Sequence, residues 1–186
     1  MTLPNLITLG RFALVPLAIW GILADRWLFA FWVFAAAGAS DAVDGYIARR
    51  LNQRSPLGAV MDPLADKVLL VSIFVMLGLT GVIPTWLVWI VVGRDIAIVI
   101  PVIVSWRRGS LPAIKPLLIS KVNTAVQIVF AGLMLLLKGL GLVEPWLVLV
   151  GSILVAALTI ASAAAYVREG LRRRAAARAM AGRDRP

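Results

Sequence analysis

Asp41, Asp44, Asp62 and Asp66 are four of the nine acidic residues of a 186-residue chain, and they sit in two apolar runs joined by a short polar stretch. A carboxylate at the centre of a membrane-spanning helix costs roughly 2.5 to 3.5 kcal/mol on insertion scales, so four together need cationic partners. Spacing makes them a group. Asp41 and Asp44 are three apart and Asp62 and Asp66 four apart, so each pair shares one face of a helix. The polar stretch between the runs predicts that the two helices are antiparallel neighbours whose acidic faces converge. No matching set of cations within these runs pairs four acids. The chain has neither His nor Cys, so thiolate and imidazole catalysis are excluded and any metal must be held by oxygen. Four convergent carboxylates describe a site for two hard cations, Mg²⁺ or Mn²⁺.

Small residues and a cation flank the acids. Arg49 lies just over one helical turn beyond Asp44, where it can meet an anion drawn by the metals. Gly45 and Ala48, with Gly58 on the facing run, leave a groove in which a flat group can approach the backbone. Metals for phosphate, small residues for a planar group and lipid outside suit phosphoryl transfer on a lipid-linked pyrophosphate. The competing reading is a small ion-coupled transporter, whose charges should follow a path through the bilayer.

Across the whole chain, 61% of residues are hydrophobic and 15% charged, with a mean hydropathy of +0.95. Soluble domains carry roughly 25% charge. The sequence therefore predicts an integral membrane protein, all-α, with six transmembrane helices over residues 5–24, 27–49, 57–80, 84–106, 116–137 and 145–167. Residues 2–11 predict a short N-terminal interfacial helix leading into the first span. No cleavable signal peptide is expected, because residues 1–9 lack a basic region and no cleavage site follows. Repeats and low-complexity tracts are absent, so residues 1–186 read as one membrane domain. Its basic tail, about 168–186, is expected to be a surface helix on anionic lipid.

The net charge of +10 does not predict a nucleic-acid partner, because the cations cluster at the ends of apolar runs. Arg49, Arg50 and Arg54 lie in one connection, Arg107, Arg108 and Lys115 in another, and Arg168, Arg172, Arg173, Arg174 and Arg178 in the tail. The opposite side has only Arg26 and Lys138. Both termini and the acidic site are thereby expected on the cytoplasmic side. Within the fourth run, Arg94 and Asp95 read first as an internal ion pair and second as a substrate contact. Lys115 and Lys121 read equally as topological or headgroup-facing cations and as phosphate binders.

The string Asp41-x-x-Asp44-Gly45-x-x-Ala48-Arg49, followed by Gly58-x-x-x-Asp62-x-x-x-Asp66, resembles the signature of the CDP-alcohol phosphotransferase family. The resemblance implies that Asp41, Asp44 and Asp62 ligate two Mg²⁺ or Mn²⁺ ions, with Asp66 completing the site and acting as general base. It places Gly45, Ala48, Arg49 and Gly58 at the cytidine nucleotide. Pro4-Asn5-x-x-Thr8-x-x-Arg11 looks like the branch that makes phosphatidylglycerol phosphate and cardiolipin. Arg94-Asp95 and the run Lys115-Pro116-x-x-x-Ser120-Lys121-Val-Asn123-Thr124-Ala-Val-Gln127 look most like its cardiolipin synthases. The implied donor is CDP-diacylglycerol and the implied acceptor phosphatidylglycerol, with glycerol-3-phosphate as the alternative. Arg94, Lys115 and Lys121 are the candidate acceptor-binding residues. The resemblance also implies a homodimer in a bacterial inner membrane, or a mitochondrial one in a eukaryote.

Overall fold

Asp25, Gly81 and Gly141 have left-handed backbones, with φ of 57°, 72° and 70°, and each ends a helix. The computed structural model describes the backbone of residues 3–51, 58–107 and 118–183, and side chains at residues 10, 13–40, 67–98, 118–170 and 172. After each left-handed residue the next amide reaches back to a carbonyl five residues earlier. Arg26 N–H donates to Gly21 at 2.8 Å, Val82 to Leu77 at 2.9 Å and Leu142 to Leu137 at 2.8 Å. This is the glycine-type helix stop, and Asp tolerates it at Asp25 because its carboxylate also accepts the indole N–H of Trp27. Pro84 precedes one of the following helices and Pro145 opens another, where a missing N–H costs nothing.

These stops divide the chain into three helical hairpins: α1 (Leu3–Leu23) with α2 (Trp27–Leu51), α3 (Gly58–Leu79) with α4 (Thr85–Arg107), and α5 (Leu118–Leu140) with α6 (Pro145–Arg183). There is no strand among the described residues. The three turns lie at one end. Lys138, near the third turn, sits over the Trp27 ring of the first at 5.7 Å, while Gly81 and Pro84 of the second share an apolar pocket with Val143 and Pro145 of the third.

Packing follows a ring, α1–α2–α5–α6–α4–α3 and back to α1, with α3 and α5 also touching across it. Two four-helix compartments result, sharing an α3/α5 wall. Phe74 of α3 and Phe130 of α5 meet in that wall at 6.3 Å, among the buried Ile73, Leu77, Met134 and Leu135. α1 packs on both α2 and α3, which have no extended contact of their own among the described residues. α1 thus bridges α2 and α3 over the described residues, while the acid-bearing ends where the two helices are expected to converge carry side chains outside them.

One expectation is corrected. The N-terminal segment is no separate interfacial helix, because α1 runs unbroken from Leu3; Gly10 and Pro16 are both accommodated within it. The basic tail is helical as expected, continuing α6 to Arg183 in one helix of 39 residues, about 58 Å at 1.5 Å per residue. Nothing between Val167 and Arg183 breaks it, since Gly170 and Gly182 are isolated glycines and alanine and arginine both favour helix. Leu118–Leu140 and Pro145–Gly170 are long and apolar enough to cross a bilayer. Large apolar side chains such as Trp32, Leu79, Trp89, Val129 and Trp146 face outward, as a lipid environment accommodates.

Candidate active site

The four aspartates fall on helices at the end of the molecule opposite the three turns. Asp41 and Asp44, with Gly45, Ala48 and Arg49, occupy the last turns of α2; Gly58 opens α3, and Asp62 and Asp66 follow in its first turns. Their side chains lie outside the described residues, as does Lys115. Among the described residues no three His, Cys, Asp or Glu side chains come together. The donor set is nonetheless chemically suited to hard divalent cations, being four carboxylates in a chain with neither His nor Cys.

Lys67 of α3, next to Asp66, begins a polar seam through the compartment formed by α3, α4, α5 and α6. Lys67 Nζ lies 2.7 Å from Asp95 Oδ1 of α4. Arg94 Nη1 donates to the same oxygen at 2.6 Å, while its Nη2 donates to Ser120 Oγ of α5 at 2.6 Å and Ser162 Oγ of α6 at 2.7 Å. Farther along, Thr159 donates to Asn123 Oδ1 at 3.0 Å, and Gln127 Nε2 donates to Thr159 at 3.1 Å. Arg94, Asp95, Asn123, Gln127, Thr159 and Ser162 are all buried.

A buried charge keeps its ionised form only when paired and hydrogen-bonded, which explains why every helix of this compartment contributes. Two cations share one carboxylate, so Lys67, Arg94 and Asp95 together carry one net positive charge. Arg94 Nε, Asn123 Nδ2 and Gln127 Oε1 have no partner among the described residues, leaving the seam with hydrogen-bonding capacity.

Arg94 and Asp95 thus form the ion pair that their adjacency suggests, while Lys121 is exposed near the start of α5. Sequence reasoning overlooked Lys67, a half-buried cation inside an acid-bearing apolar run, whose partner Asp95 lies on the neighbouring helix. It also overlooked Thr159 and Ser162, whose spacing of three in an apolar helix puts two hydroxyls on one face.

The sequence matches the CDP-alcohol phosphatidyltransferase family over residues 1–167. It is similar to the human cardiolipin synthase (CMP-forming), 38% identical over 144 residues that cover 69% of this chain and 48% of the relative. A chloroplastic CDP-diacylglycerol–glycerol-3-phosphate 3-phosphatidyltransferase 1 of rice (Oryza sativa subsp. japonica) is 37% identical over 184 residues, 89% of this chain and 56% of the relative. A Schizosaccharomyces pombe cardiolipin synthase (CMP-forming) / mitochondrial hydrolase fusion protein is 37% identical over 188 residues, 89% of this chain and 30% of the relative. The chain spans about half the length of the human and rice proteins.

Proposed function

The chain belongs to the CDP-alcohol phosphatidyltransferase family, and from that premise we propose that it transfers the phosphatidyl group of CDP-diacylglycerol to phosphatidylglycerol, giving cardiolipin and CMP. The observation that carries this reading is the full acidic signature on α2 and α3 in a chain similar to a CMP-forming cardiolipin synthase. Glycerol-3-phosphate is the second acceptor to test, because the rice relative is named for it. The ion-coupled transporter reading loses its support with the family membership.

In this reading Asp41, Asp44, Asp62 and Asp66 hold two Mg²⁺ or Mn²⁺ ions. Such ions neutralise charge on the pyrophosphate and on the departing CMP phosphate. Gly45, Ala48, Arg49 and Gly58 receive the cytidine nucleotide. Asp66 takes the proton of the acceptor hydroxyl as its oxygen bonds to the lipid-proximal phosphorus. The bond from that phosphorus to the bridging oxygen breaks, and CMP leaves with the bridging oxygen. Arg94, Lys115 and Lys121 serve the acceptor phosphate; the unpartnered Nε of Arg94 supports its share.

In the same reading the six helices are six spans of an inner membrane, bacterial or mitochondrial, with termini and site on the cytoplasmic or matrix side. The basic extension of α6 meets anionic lipid, and the protein works as a homodimer. Thin-layer analysis of products from CDP-diacylglycerol and Mg²⁺ with each acceptor is the test. Cardiolipin and CMP are expected with phosphatidylglycerol. Phosphatidylglycerol phosphate from glycerol-3-phosphate, with no product from phosphatidylglycerol, would overturn the acceptor; no CMP with either would overturn the transferase.

A further inference from the structure

We propose that Asp95 is a positioning residue that holds the Lys67 ammonium away from the aspartates of α2 and α3, keeping their carboxylates free for divalent cations. The inference rests on the metal-binding reading of those aspartates. Lys67 is the residue after Asp66, and its long flexible stem ends in a compact, mobile charge. An ammonium loose beside four carboxylates competes with divalent cations for the same oxygens. The structure shows it engaged elsewhere, 2.7 Å from Asp95 on the neighbouring helix.

Asp95 is itself fixed. Its Oδ1 also accepts from Arg94, and that guanidinium is anchored by Ser120 of α5 and Ser162 of α6. Arg94 and Asp95 side chains are 3% and 6% exposed, so neither turns outward to water without losing these bonds. Lys67, at 32%, is the looser partner and the one that would move. Three helices that carry none of the signature aspartates thus determine where this cation points. A carboxylate already shared by two cations is also a poor additional metal ligand. That separates Asp95 in role from the four aspartates.

The test is Mn²⁺ binding to the purified full chain, followed by the electron paramagnetic resonance signal of free Mn²⁺, which needs no turnover. Asp95→Asn releases Lys67 and should weaken Mn²⁺ binding about tenfold, the order expected of one unit charge acting on a divalent ion in a partly screened site. Lys67→Met should bind Mn²⁺ as tightly as the wild type or more tightly. The double variant should recover to within about threefold of the wild type, a non-additivity that a merely structural Asp95 does not produce.

Asp95→Asn that binds Mn²⁺ like the wild type overturns the proposal, as does a double variant no better than Asp95→Asn. If Asp95→Asn does not fold, Lys67→Met decides alone, because weakened Mn²⁺ binding there makes the ammonium a helper rather than a competitor. Wild-type protein that binds no Mn²⁺ overturns the metal reading itself, which distinguishes the two failures.

Discussion

Asp66 and Lys67 are chain neighbours of opposite charge, about 100° apart around α3 by helix geometry, so each serves a different surface of the helix. Lys67 engages α4, while the register of Asp66 with Asp62 gives α3 a separate acidic face. If Asp66 is the base for the acceptor hydroxyl, Asp66→Asn keeps size and polarity but cannot take a proton. Its kcat for CMP release should fall about 10²- to 10⁴-fold, the usual worth of a positioned general base. CMP binding by equilibrium dialysis should persist, and near-normal turnover would exclude the role. At this scale the sequence was legible where neighbours in the chain are also partners, as in the Arg94–Asp95 ion pair. It was opaque for Lys67, whose partner Asp95 is on another helix, and for Ser162, which reaches Arg94 across 68 positions of sequence.

At the scale of elements, apolar runs and turn residues located all six helices, and the ends at Thr80, Pro84 and Pro145 fall within one residue of the observed bounds. Adjacency was less legible. The packing of α1 on both α2 and α3, and of α2 on α5, has no signal in the sequence, because an apolar helix can supply two faces and a loop length constrains only one end. Close approach is a matter of single atoms. A Cβ added at Gly139 of α5 would lie 2.8 Å from the backbone nitrogen of Leu28, the second residue of α2, whereas one added at Gly93 of α4 would meet nothing within 4 Å. Gly139→Ala should therefore lower stability by about 1 to 3 kcal/mol through overpacking. Gly93→Ala should raise it by up to about 1 kcal/mol through helix propensity. Thermal unfolding in one detergent compares the pair, and a more stable Gly139→Ala protein would show that the hairpins separate freely.

For the whole molecule, three hairpins closing at one end leave the acidic helix ends and the α6 extension at the other. Single cysteines in this cysteine-free chain can report the orientation. Leu142→Cys lies on the third turn, 58% exposed, and Arg172→Cys on the α6 extension, also exposed. A membrane-impermeant thiol reagent should label the position 172 cysteine only in inside-out vesicles and the position 142 cysteine only from the opposite face. The reverse pattern would invert the topology. Under the expected topology the three turns are the parts that must cross the bilayer during biosynthesis. The first carries Asp25 and Arg26, the second has no charge between Thr80 and Pro84, and the third carries Lys138 and Glu144. Each tip therefore sums to zero. A membrane potential does work of about 2.3 kcal/mol per elementary charge per 100 mV, and on these three tips it does no net work, so each hairpin can be delivered across an energised membrane without moving net charge.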